Sequence, residues 1–172
     1  MEPSEALSTA AQIAVALAGF AGVVVAFRRG SLHDWAVIDK YRLWLLLGNS
    51  IGPLFCCLFG LLLLTIEPRP VFIWRWCSAF SLLVTVPFAV LSRKRQVELG
   101  PSVIAEMGAF RYVYYLFGAI GGVVVLLQIY NAAVTGVFFL FYAAIVFPLA
   151  IGAIQFARMI LLPSTPNETD RR

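Results

Sequence analysis

LSTAAQIAVALAGFAGVVVAFRR, residues 7–29, runs twenty-one positions without a charged side chain and then meets two arginines. A helix of about 20 apolar residues crosses the hydrocarbon core of a bilayer. A basic pair at one end marks the side on which it stops. Four more runs of this kind follow, at about 41–65, 71–91, 110–130 and 135–162. They predict an all-α, polytopic integral membrane protein with five transmembrane helices. These form one domain over residues 1–162, followed by a disordered cytoplasmic tail at 163–172.

Composition points the same way. Of 172 residues, 61% are hydrophobic and 13% charged, against about 25% charged in a soluble domain. Mean hydropathy is +0.88. The net charge of +4 sits beside the apolar runs and in no nucleic-acid motif, so no nucleic-acid partner is expected. Met1-Glu2-Pro3-Ser4-Glu5 is acidic where a secretory signal is basic. The first run therefore reads as an uncleaved transmembrane helix. Glu2 stands where myristoylation needs glycine.

Orientation follows from the basic residues. One side holds Arg28, Arg29, Lys40, Arg42, Arg93, Lys94, Arg95, Arg111, Arg158, Arg171 and Arg172; the other holds Arg69 and Arg75. Eleven against two places the first side in the cytoplasm, giving N-out/C-in. Arg28, Arg29, Arg93, Lys94 and Arg95 read as anchors for lipid headgroups. Ser31-Leu32-His33-Asp34 resembles a capping box and lets the second helix start early. Gly100-Pro101-Ser102 reads as the lead into an amphipathic segment before the fourth. Asn167-Glu168-Thr169 matches a glycosylation sequon but falls on the cytoplasmic side.

Small residues recur every fourth position, which lines them up on one helix face. Ala14, Ala18 and Gly22 lie in the first run, Gly48, Gly52 and Gly60 in the second, Gly118 and Gly122 in the fourth, and Gly152 in the fifth. Such stripes let helices approach closely in lipid, either within one subunit or between subunits. A second signal is Gly48-Asn49-Ser50-Ile51-Gly52-Pro53. Pro53 removes the hydrogen bond to the Asn49 carbonyl, and Ser81 and Thr85 of the third run are expected at similar depth. These five polar or kink residues form either a plain kink or the lining of a permeation path. Pro87 and Pro148 read as plain kinks.

No Asp, Glu, Lys, Arg or His lies deep in any run, which argues against proton coupling through a buried carboxylate. Interior polarity is expected mainly from Gln12, Asn49, Ser50, Ser78, Ser81, Thr85, Gln128, Thr135 and Gln155. Cys56, Cys57 and Cys77 have no metal-ligand spacing and read as packing residues. A bridge to Cys77 is the minor alternative. His33 is the only histidine, and its spacing to Asp34, Asp39, Glu98 and Glu106 matches no catalytic or metal motif.

The expectation is a non-enzymatic membrane protein with no cofactor, metal site or catalytic residue. Its setting is a bacterial-type inner membrane, and its partners are membrane lipids and another membrane protein or its own copies. It would work by helix packing, as a homo-oligomer or an accessory subunit. The alternative is a small channel or uncoupled permease.

Overall fold

The computed structural model describes residues 2–27, 35, 37–66, 72–98 and 110–161. Arg28 and Arg29, the capping box at 31–34, the lead at 100–102 and the tail at 163–172 lie outside the described residues. The described residues form five long helices and no strand: α1 (Pro3–Phe27), α2 (Val37–Leu64), α3 (Ile73–Glu98), α4 (Phe110–Tyr130) and α5 (Phe138–Leu161). All five are long and apolar enough to span a membrane. Successive helices run antiparallel. The end of the bundle formed by the C-termini of α1, α3 and α5 is called the basic end below.

α1 starts at Pro3, a first-turn position where the missing amide costs nothing. Glu5 stands in that turn and its Oε2 accepts from the Glu2 amide at 3.4 Å. Leu7, Ala10, Ala14, Leu17 and Ala21 are buried, a three-and-four spacing that turns one face inward. That face packs on α2, the central helix, which also contacts α5 and α3. One core cluster joins Leu7, Ala14, Cys57, Cys77, Phe141 and Ile145. A second, at the basic end, joins Ala21, Trp35, Leu43, Leu46 and Met159.

α3 continues to Glu98, past the basic turn that the sequence places at its end. The turn stays helical because it is two-faced. Ser92 and Gln96 point inward and are buried, while Arg93, Lys94 and Arg95 are exposed. The Tyr41 hydroxyl donates to the Ser92 carbonyl at 3.3 Å. The Arg95 guanidinium lies 4.2 Å from the centre of the Trp44 ring, which stacks on Phe88 at 4.8 Å.

Candidate functional site

Pro53 is buried within α2 and leaves the Asn49 carbonyl without its usual helical donor. The two polar side chains beside it turn back onto their own helix. Asn49 Nδ2 donates to the Leu45 carbonyl and Ser50 Oγ to the Leu46 carbonyl, both at 2.8 Å. Gly152 of α5 lies over the pair: a Cβ there would be 3.6 Å from Ser50 Oγ and 3.7 Å from Asn49 Cβ. Ser81 is buried beside the Cys56 thiol. Thr85 is half-buried and lines the same crevice as Asn49. The five residues therefore divide between a helix–helix contact and a crevice wall.

The glycines divide as well. The Phe88 ring fills the space a Cβ on Gly48 would need. At Gly60 a Cβ would come within 2.9 Å of Leu7 Cδ1 and 3.4 Å of Phe141 Cε1. At Gly52 it would lie 3.4 Å from Val84. These positions set the spacing of α2 against α1, α3 and α5. A Cβ at Gly22, Gly118 or Gly122 would meet nothing within 4 Å, so these three make no close contact with another helix among the described residues. Ala14 is buried and Ala18 half-buried.

The link between α4 and α5, which the sequence leaves as a short gap between the runs at 110–130 and 135–162, holds a polar knot. Residues Asn131–Thr135 form a single π-helical turn. Asn131 is fully buried. Its Nδ2 donates to Ser78 Oγ at 2.7 Å and the Val137 carbonyl at 3.0 Å. Its Oδ1 accepts from Thr135 Oγ1 at 2.7 Å and the Val137 amide at 2.8 Å. Gly136 follows with φ 63°, a left-handed conformation that costs glycine little. Arg75 of α3 packs on Gly136 and donates to the Val134 carbonyl. Nearby, Gln128 Nε2 donates to the Leu140 carbonyl at 2.6 Å.

These bonds hold α4 to the bundle at the end away from the basic end. Toward the basic end a crevice of ≈ 640 Å³ lies between α4 and α2, α3 and α5. Gly118, Gly121 and Gly122 lie in its α4 wall with Tyr115, Phe117 and Val125, and Arg93, Gln96, Thr85, Asn49 and Gln155 supply polar groups. Arg93 Nη1 donates to Gln96 Oε1 at 2.8 Å. Gln155 is 7% exposed, and its Oε1 has no hydrogen-bond partner among the described residues.

Two expectations about polar groups change. Gln12 and Thr135 are exposed rather than interior, because the inward face of α1 is the one bearing Ala10 and Ala14, and Thr135 lies on the rim of the knot. Asp39 is 2% exposed at the start of α2 and pairs with Arg42 at 3.3 Å. His33, Asp34 and Glu106 lie outside the described residues. Cys56, Cys57 and Cys77 are buried free thiols. Among the described residues no group of three His, Cys, Asp or Glu could hold a metal ion. No family model, curated protein or solved structure matches the chain.

Proposed function

We propose that the chain crosses a bacterial-type inner membrane five times, N-out/C-in. We further propose that it works without catalysis, as a homo-oligomer assembled through the outward face of α1. The five apolar helices and the eleven-to-two split of basic residues support the membrane reading. So does the surface: Phe20, Leu58, Leu83, Leu126 and Phe139 are all exposed, far more apolar area than a water-soluble monomer leaves open.

Gln12 carries the homo-oligomer reading. It is exposed in the N-terminal half of α1, five residues into the apolar run that begins at Leu7, beside exposed Ile13 and Val15. No hydrogen bond to it is made among the described residues. An amide left facing hydrocarbon costs several kcal/mol, ~2–7 by transfer data. Residues 12, 16, 19 and 23 share a helix face, and Ala16 and Gly19 on it are small and exposed. A Cβ at Gly19 would meet nothing within 4 Å, so the face is open to close approach. Two copies inserted in the same orientation bring Gln12 to the same depth. Their amides then pair across a two-fold axis. The channel reading finds no such support, since Asn49 and Ser50 bond back to their own helix.

Oxidative cross-linking in native membranes tests this. An Ala16→Cys chain, which keeps Gln12 and is altered on the same exposed face, is expected to form a disulfide-linked dimer, and a Leu83→Cys chain, altered on α3, is not. Cross-linking to a different polypeptide would make the chain an accessory subunit. Equal dimer yields from both variants would remove α1 as the interface.

A further inference from the structure

The crevice between α3 and α4 lies on a different part of the bundle from the α1 face and needs only the membrane reading. At ≈ 640 Å³ it falls within the ~300–1,000 Å³ of small-ligand sites, which are mostly apolar with a few placed polar groups. The space is built in by residue choice. Gly118 and Gly122 face it with no atom within 4 Å of where a Cβ would be, and the knot around Asn131 fixes the far end of α4.

Its polar groups stand at two depths. At the basic end, Arg93 is exposed and held by Gln96, itself 3% exposed. No carboxylate is among the described lining residues, so the guanidinium offers positive charge to the mouth. Deeper lies Gln155, more than nine-tenths buried, with an amide oxygen that accepts nothing among the described residues. Tyr41 reaches Ser92 and Gly152 faces Ser50. In that register Gln155 sits about 10 Å farther into the bundle than Arg93, at ~1.5 Å per residue. Turning over a glutamine amide exchanges acceptor for donor, so this group can meet either a hydroxyl or an ester carbonyl. Thr85 and Asn49 line the crevice at about the depth of Gln155, and the remaining walls are apolar, with Val125, Ala144 and Phe147 among them.

An anion-binding group at the mouth, a layer of hydrogen-bonding side chains below it and otherwise apolar walls match the order of groups in a phospholipid. Basic pockets between transmembrane helices bind lipid headgroups for the same electrostatic reason. We propose that this crevice holds one anionic phospholipid from the leaflet at the basic end. Its phosphate sits on Arg93, its glycerol-ester region at Gln155, and an acyl chain runs along the glycine wall of α4.

The test is native mass spectrometry of the full chain released from nanodiscs of phosphatidylglycerol and phosphatidylcholine in equal parts. The wild type is expected to retain one phosphatidylglycerol per chain. Gly122→Leu puts a side chain into the crevice from a position whose Cβ meets nothing within 4 Å and is expected to lose it. Arg93→Gln removes a charge-assisted contact and is expected to lower the preference for phosphatidylglycerol about tenfold. Both variants should keep the wild-type helix content by circular dichroism, and both should keep the wild-type oligomeric state, which separates this site from the α1 interface. Equal retention of the two lipids by the wild type would overturn the proposal. So would retention by a folded Gly122→Leu chain, or a bound polypeptide released by that substitution in place of a lipid.

Discussion

The ring of Phe88 on α3 occupies the space that any side chain at position 48 of α2 would need. That ring also stacks on Trp44, which carries Arg95. Gly48 is thus the point at which α2 and α3 come together near the basic end. In lipid, helices gain little from the hydrophobic effect and are held by packing and hydrogen bonds. Gly48→Val is expected to destabilise the chain by roughly 1–3 kcal/mol, as overpacking does. The measurement is thermal unfolding in detergent. Phe88→Ala in the same chain should restore part of the loss, since residues in contact do not act additively. An unchanged midpoint in the single variant would contradict the contact.

Asn131 makes four side-chain hydrogen bonds across the α4–α5 link and to α3. Asn131→Ala should lower unfolding stability by roughly 1–2 kcal/mol, since interhelical bonds in membranes are worth ~0.6–2 kcal/mol each and are partly replaced. Ser78→Ala removes one partner and should cost less. Hydrogen exchange should rise around Thr135 and Val137 in Asn131→Ala and not at the basic end. Uniform exchange along the chain would show that the knot does not hold α4.

The five helices are legible because their apolar length is a property of each segment alone. The knot is not, because Asn131 finds Ser78 fifty-three positions away and a polar Asn-Ala-Ala segment reads equally well as an ordinary turn. Gly118 and Gly122 carry spacing that fits close packing, yet they face a void within the chain. Their fate depends on how α4 stands, and bonds from Gln128 and Asn131 at its far end set that. Gln12 shows the same limit. An amide in an apolar run signals that it needs a partner, and only the burial of Ala10 and Ala14 tells which way it faces.

The three native thiols are buried and should stay unlabelled by a membrane-impermeant maleimide in intact cells. Single cysteines then report sidedness cleanly. Glu2→Cys is expected to react in intact cells, and Glu98→Cys only in inverted vesicles. The opposite pattern would reverse the orientation.

The most direct measurement of the central claim is native mass spectrometry of the chain released from lipid nanodiscs, comparing wild type with Gln12→Leu and Gly19→Leu. The expected result is a closed homo-oligomer for the wild type and a shift to the folded monomer in both variants. A wild-type monomer, or an oligomer that both variants leave intact, would contradict assembly through α1.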